Sequence, residues 1–540
     1  MADEHDFVVV GGGTAGCVLA NRLSAEPETS VALLEAGGEA RHPFIHIPLM
    51  AGLVYFMRSV NWGYETEPEP HLDGRRIPWP RGRVLGGTSA INGMMYMRGN
   101  RRDYDGWRQL GLDGWDYESV LPYFKRAEGH GSRRDAYHGS DGPLRVNRAQ
   151  SKNTLYDVFL EACAALGLPR NDDFNGAVQE GVGRQDFCVD RGRRVNTGHA
   201  FILPVRERAN LRVVLRAQVE RLLFEGRRCV GVAYRRGGQR HEIRARREVI
   251  LSAGTINSPQ LLQLSGVGAP EHLGQLGIPV VLESPDVGRN LQDHAGVYVQ
   301  MACTQPVALY GLLRPDRAAL ACLRAYLFGS GPGTSIALEA GGFGRSREGL
   351  DAPDLQITFI PGLTLDVTRK KQGRHGFLTH CYQLRPESRG EIRIVAADAR
   401  RPPAIHANTL SAETDRRVMR DAVRFARRIM AQAPFDPFRG HEIAPGEDAQ
   451  SDDEIDAWIR SNLTTVWHPV GTCRMGQDET AVVDEQLRLR GAEGLRVVDA
   501  SVMPLITSSN TAAPTIMIAE KAADMILGKP PLPAEAPASA

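Results

Sequence analysis

The feature that most constrains this chain is a glycine run wedged between an apolar strand and a helix. Phe7–Val10 reads as a buried strand, Gly11-Gly12-Gly13-Thr14-Ala15-Gly16 follows it, and Cys17–Leu23 has helical spacing. Val31–Leu34 reads as a second buried strand, ended by Glu35. This is a β-α-β unit of the parallel-sheet type. In such a unit Gly11 permits the tight turn, and Gly13 lets the backbone approach a pyrophosphate. Gly16, with Ala20, lets helix and strand pack closely. Thr14 and Ala15 open the helix, whose N-terminus faces the negative charge. Glu35, about 20 residues beyond the glycines, can accept from a ribose hydroxyl. A carboxylate there disfavours a 2′-phosphate, and so NADP. The pattern does not by itself separate FAD from NAD.

At 540 residues the chain has room for about two to four domain-sized units. A formal net charge of +1 provides no global field for nucleic acid or an anionic membrane. Local Arg runs such as Arg244–Arg247 are flanked by acids, Glu242 and Glu248, and read as solvated faces. The eight cysteines are scattered, without CxxC or zinc spacing, so free thiols and no metal are expected. Met1–Asp6 is acidic and runs straight into a strand, unlike a secretory signal, and no apolar run reaches the ~18 residues of a membrane helix. The expected location is the cytoplasm, with peripheral contact to the inner membrane left open.

Residues 40–110 are rich in Pro, Gly and aromatics and read as long structured loops, which are usually functional. Short strands are expected at Leu211–Leu215, Val219–Phe224, Cys229–Tyr234 and Glu248–Ser252. From about 300 to 445 the pattern changes. Leu355, Ile357 and Phe359 alternate with polar residues, as do Phe377, Thr379 and Cys381, which predicts an antiparallel sheet with one wetted face. Val418, Ala422, Phe425, Ala426 and Ile429 mark an amphipathic helix. The predicted class is α/β, α+β overall. A Rossmann-type nucleotide domain spans 1–300, with a segment near 151–195 lent to a second domain. That discontinuous substrate domain, an antiparallel sheet with helices, spans 301–455. Residues 456–528 return to the nucleotide domain, and 529–540 form a Pro/Ala-rich disordered tail.

Further segments are far more specific. Arg81–Gly93 is a second glycine loop, followed by Tyr96-Met97-Arg98-Gly99. Gly254–Gly268 begins Gly-Thr-Ile-Asn-Ser-Pro. Then come Val287–His294, Trp467-His468-Pro469-Val470-Gly471-Thr472, Arg496–Ser501 and Asn510–Thr515. Together, and in this order, they resemble the glucose–methanol–choline (GMC) flavoprotein oxidoreductases over about residues 5–527, nearest the bacterial choline and alkanol dehydrogenases. The resemblance implies FAD and oxidation of an alcohol to an aldehyde or ketone. It places Gly11, Gly13, Gly16 and Glu35 on the AMP half, with Val219 meeting the adenine through its backbone. It places Arg83, Gly86, Gly87, Asn92 and Gly93 along the pyrophosphate and flavin. Asp499 and Ala500 fall at the pyrophosphate–ribityl region, with Asn510 and Thr511 near the flavin. The second loop reads Thr88-Ser89-Ala90-Ile91-Asn92, without the histidine that tethers flavin in some relatives, so non-covalent FAD is expected.

An alcohol C–H yields hydride only as the O–H proton leaves, so a base must stand near the oxygen. His468 is the candidate base, since imidazole takes a proton near neutrality. Asn510 is expected to donate to the developing alkoxide. His294 reads as a structural hydrogen-bonder near the cofactor. A helix over Pro514–Ile526 is predicted to aim its N-terminus at the flavin N1–C2=O edge. Walls from residues 42–65 and the middle sheet would face the substrate, with Tyr55, Phe56, Trp62 and Tyr64 suited to a cation through their ring faces or, the preferred reading, to an apolar lid. Electrons would pass to a quinone or other acceptor. An O2-using oxidase and, less favoured, a hydroxynitrile lyase are the alternatives. Which alcohol is oxidised, and the oligomeric state, are not legible.

Overall fold

A computed structural model describes residues 3–363 and 374–537. Strand Glu4–Val10 lies between Val31–Glu35 and Gln239–Leu251, parallel to both. Leu211–Leu215 extends the sheet beyond Val31–Glu35, and Leu495–Val497 pairs with residues 249–251, again parallel. Near-continuous apolar runs make these strands, because helices and loops cover both faces. The first half of Gln239–Leu251 instead pairs antiparallel with Arg228–Arg236, which pairs with Gln218–Glu225 in a meander. Helices Thr14–Leu23 and Ala512–Leu527 pack together. Between them the fully buried Glu520 accepts from Arg22 at 2.7 and 2.9 Å and from Arg126 at 2.7 Å. The predicted α/β class is what the chain adopts.

A second sheet is antiparallel throughout, in the order Arg439–Ala444, Ala295–Cys303, Gly376–Gln383, Leu355–Ile360, Ala340–Gly344, Gly181–Arg184. Its period of two has a clear purpose. Val297, Val299, Ile357, Phe359, Phe377 and Cys381 form a core with helices Glu413–Met430 and Thr154–Ala165. The alternate residues Tyr298, Gln300, Thr358, Ile360, His380 and Tyr382 face a cavity. The face that alternation assigns to water is therefore the wall of a site.

The tail departs from expectation. Residues 529–537 are not loose: the Leu532 amide donates to the Tyr123 hydroxyl at 3.0 Å, and the Glu535 amide donates to the Glu118 carbonyl at 3.0 Å. Lys125 also pairs with Glu535. Composition favoured disorder, but polar partners on helix Tyr117–Ala127 hold the segment; residues 538–540 lie outside the described residues. All eight cysteines are unpaired. Among the described residues no helix is long and apolar enough to cross a membrane.

Candidate active site

A cavity of about 1760 Å³ runs from the first glycine loop to the second sheet. Single-ligand pockets are about 300–1,000 Å³, so this one has room for a dinucleotide and a substrate together. Its nucleotide end follows from the glycines. A side chain at Gly16 would overlap the Gly11 carbonyl, so helix and turn meet only without one. A Cβ on Gly87 would come 2.6 Å from Gly13 Cα, and the Gly86 amide donates to the Gly12 carbonyl at 2.7 Å. The two glycine loops are thus in backbone contact. A Cβ on Gly13 would find its nearest neighbours at 4.0 Å, leaving open space for a phosphate against bare backbone.

Gly11, Gly13, Thr14, Ala15 and Glu35 line this end, with Val219 farther along. The Glu35 carboxylate accepts from the amides of Gly12 at 2.9 Å and Gly37 at 2.7 Å, and burial raises its pKa to about 7. Gly87, Asn92 and Gly93 form the middle wall, opposite Asp499, Ala500 and Thr511. Asp499 accepts from the Gly254 amide at 2.8 Å and Ser258 Oγ at 2.6 Å, which ties the returning chain to helix Gly254–Leu264. Thr255 Oγ1 donates to the Pro469 carbonyl at 2.8 Å, anchoring the residue after His468.

Two expected residues stand elsewhere, while Gly16 lies behind the wall and lets helix and turn pack as its spacing predicts. Gly86 is also behind the wall, and its φ of +96° makes the turn between the loops. Arg83 is exposed and is not part of the cavity wall. Its guanidinium lies 4.7 Å over the Trp62 ring and donates to Gln218 Oε1 at 3.5 Å. Both partners line the cavity, so Arg83 stands at its rim rather than in its wall. Arg81 lines the cavity instead, donating to the Pro80 and Trp467 carbonyls at 2.6 Å each.

The chemistry concentrates around His468. Trp467 is held in the left-handed region at φ +62°, a strained setting for a bulky residue. Hydrogen bonds offset the strain: the Trp467 amide donates to Thr465 Oγ1 at 2.9 Å, and its indole donates to the Pro78 carbonyl at 2.8 Å. The half-buried Asp293 accepts from the amides of His468 at 2.6 Å and His294 at 2.9 Å, and from the Thr465 hydroxyl. His468 Nδ1 lies 3.0 Å from His294 Nδ1, and His468 Nε2 lies 3.1 Å from Asn510 Nδ2. His294 Nε2 in turn is 3.2 Å from the Leu384 carbonyl.

This chain of contacts assigns the protons. The Leu384 carbonyl can only accept, so His294 Nε2 carries hydrogen. Burial, the main cause, lowers the His294 pKa to about 3, so the ring is neutral and its Nδ1 is a lone pair. His468 Nδ1 must therefore donate. Burial, then the neighbouring His294 and Arg81, hold His468 well below the usual imidazole range, so it too is neutral. Its Nε2 is left as a bare lone pair beside Asn510. Gln356 Nε2 donates to Asn510 Oδ1 at 3.2 Å, which turns the Asn510 amide N–H toward that lone pair. A ready proton acceptor and a neutral donor thus converge on one point of the wall.

Gln356 and Leu384 had no signal in the sequence, and Arg81 and Asp293 fell inside motifs without a role assigned to them. Arg194 had no signal either; fully buried, it donates to the carbonyls of Ile45 at 2.8 Å and Asn92 at 2.6 Å and so fixes the second glycine loop. Tyr55, Phe56 and Trp62 do line the cavity, with Tyr55 and Trp467 ring centroids 4.8 Å apart. Tyr64 lies behind, accepting from Asn257 Nδ2 at 2.7 Å.

Comparison with known proteins gives the family. GMC oxidoreductase family profiles match residues 5–296 and 386–519. The chain is 48% identical to the mitochondrial choline dehydrogenase of Mus musculus, over 98% of this chain and 90% of that one. It is 46% identical to the oxygen-dependent choline dehydrogenase of Chromohalobacter salexigens, over 99% and 96%. Among solved structures, pyridoxine 4-oxidase from Mesorbium loti superposes with a TM-score of 0.88 at 32% identity, covering 96% of this chain and 98% of that one. A fungal aryl-alcohol oxidase gives 0.85 at 26%, covering 98% and 99%. The chain belongs to the GMC oxidoreductase family and is an FAD-dependent enzyme that oxidises alcohols.

Proposed function

We propose that His468 is the base and Asn510 the oxyanion partner in oxidising an uncharged alcohol to an aldehyde or ketone, with electrons leaving to a quinone or another acceptor. FAD supplies the hydride acceptor, N5 of its ring. The cavity fits it: bare glycine backbone at one end, Glu35 beside it, and the N-terminus of Ala512–Leu527 at the other. The carrying observation is the unprotonated Nε2 of His468 next to Asn510 Nδ2. As the hydroxyl loses its proton to Nε2, positive charge grows on His468, and Asn510 donates to the oxygen that turns negative. Asp293, which accepts from both histidine amides, steadies their backbones. The helix start at Ala512 adds partial positive charge at this end of the cavity.

The substrate class rests on charge. Among the described residues, the second sheet presents Tyr298, Gln300, Thr358, His380 and Tyr382 to the cavity and no carboxylate. Burial lowers the His380 pKa to about 3, so it stays neutral, stacked 4.1 Å from Tyr298. The cation near His468 is Arg81, whose pKa burial lowers only to about 10. A quaternary ammonium would meet aromatic faces, which attract it, but also this fixed positive charge, which is only partly offset by Asp293, whose own pKa burial raises to about 6. An alcohol with an apolar body fits better. Because the relatives named above are choline dehydrogenases, choline is the informative comparison.

A panel of alkanols, aromatic alcohols and choline with a dye acceptor tests this. Higher kcat/KM for choline than for every neutral alcohol would overturn the substrate class. Failure of any alcohol to bleach the flavin anaerobically would overturn the reaction and favour the lyase alternative. Hydrogen peroxide formed in air in step with product would replace the proposed acceptor by O2.

A further inference from the structure

Helix Pro315–Phe328 presents its apolar residues the wrong way for a surface that meets only water. Its inward side carries the small residues Ala321 and Ala325, both buried, with Ala325 and Cys322 against the cluster of Ile45, Met50 and Val54. Its outward side carries Leu320, Leu323, Leu327 and Phe328, which are 66%, 54%, 54% and 75% exposed. Leu320, Leu323 and Leu327 recur at helical spacing and form one apolar face, and Phe328 adds to it at the helix end, beyond Arg324. Scattered exposed leucines need no explanation, but a contiguous apolar stripe marks an interaction surface.

Its charge is as one-sided as its hydropathy. Arg317 and Arg324 are exposed beside the stripe, and the Arg193 guanidinium lies 5.6 Å from the Tyr326 ring at its edge. The helix has one acid, Asp316, already paired with Arg314 at 3.2 Å. Leucine and phenylalanine flanked by arginine suit a helix lying in the headgroup layer of a membrane with anionic lipids. The stripe is one convex helix face with four large apolar side chains, well short of the about 800 Å² per partner in a stable protein interface.

The helix also borders the site. Leu309, Tyr310 and Leu312 just before it line the cavity, as do its own Pro315 and Ala318. Tyr310 is 41% exposed, so the cavity reaches the surface there. We propose that Pro315–Phe328 docks the enzyme on an anionic phospholipid surface, so that this opening of the cavity faces the lipid. Leu320, Leu323, Leu327 and Phe328 enter the boundary between headgroups and acyl chains, while Arg317 and Arg324 meet phosphates.

The test is co-sedimentation of the FAD-loaded enzyme with vesicles of phosphatidylglycerol and phosphatidylcholine, against phosphatidylcholine alone. The enzyme should pellet with the anionic vesicles. Combined Leu320→Ser, Leu327→Ser and Phe328→Ser should weaken partitioning at least ~10-fold, since three apolar insertions are lost. Arg317→Glu with Arg324→Glu should abolish the preference for phosphatidylglycerol. Turnover with a soluble dye should be unchanged in both variants, which shows that they fold. Wild-type enzyme staying in the supernatant, or a serine variant that pellets equally, overturns the proposal. Light scattering that shows a lipid-free dimer, lost in the serine variant, overturns it in favour of contact between two copies.

Discussion

Nδ1 of His294 faces Nδ1 of His468 at 3.0 Å, and the carbonyl of Leu384 determines which of the two holds the proton. His294 touches neither the cavity's glycine end nor Asn510, so its influence passes through His468. It is a positioning residue. Replacing His468 by Ala should slow anaerobic flavin bleaching by at least ~100-fold, the lower range for loss of a general base. Stopped-flow absorbance measures it, and a near-normal rate would remove His468 from the mechanism.

His294→Phe should slow bleaching by roughly 10-fold or more, because the His468 Nδ1–H loses its acceptor and the ring its fixed tautomer. His294→Gln keeps a carbonyl oxygen able to accept from Nδ1 and should recover much of the rate. The pH profile separates positioning from general damage. The His294→Phe profile should change shape while the His294→Gln profile follows wild type. Equal loss in both variants with unchanged profiles would argue that His294 is merely structural.

Gln356→Leu should misorient the Asn510 amide, whose Oδ1 it now holds at 3.2 Å. The expected effect is on kcat more than on KM, since donation to the oxygen matters most as charge develops. A change confined to KM would contradict that.

Gly87→Ala should purify with little flavin. Its Cβ would press to 2.6 Å from Gly13 Cα and force the two loops apart, and its φ of +52° is unfavourable for a side chain. Absorbance near 450 nm per polypeptide, compared with wild type, reads this directly. Wild-type protein precipitated with acid should release its yellow cofactor, since the second glycine loop offers no histidine tether.

Stability should depend on pH through His138, far from the site in sequence. Burial alone would lower its pKa, but hydrogen bonds with Asp173 at 2.9 Å and Glu128 at 3.1 Å prevail and raise it to about 9. A raised histidine stabilises fully below its unfolded value of about 6.5, and the effect fades as pH climbs through about 9. Asp173 has the opposite sense. Burial would raise it, but His138 brings it down to about 2, so its contribution is full above the unfolded value near 3.9 and fades toward pH 2. The Tm difference between wild type and His138→Gln should be widest between about pH 4 and 6.5 and narrow by pH 9. A difference that grows above pH 7 would refute the ion pair.

Much of this was legible in the linear chain, for physical reasons. Gly11, Gly13, Gly16 and Glu35 could be read because their spacing is set by one local β-α-β unit. Leu355–Phe359 gave the second sheet because alternation is a local signal. His468 stood out through its dense motif. Asp293, Gln356 and Leu384 did not, because their roles arise from strands that meet only in three dimensions. Leu384 acts through its backbone carbonyl, which no side-chain pattern reveals. Arg83 misled for the converse reason: the motif gives its identity, while its direction depends on Trp62 and Gln218, which meet it only in the fold. Helix Pro315–Phe328 escaped notice because periodicity tells which residues share a face, not which face looks outward.

The proton-accepting ring is held from two independent halves of the molecule. His294 and Leu384 flank paired strands of the antiparallel sheet, whereas Asn510 precedes the helix packed on the parallel one. Sliding one half against the other by an ångström would break a link of the relay before any core contact was lost. Turnover should therefore report the alignment of the halves more sensitively than circular dichroism or melting does, and loosening agents at sub-denaturing doses should silence the enzyme while it still looks folded.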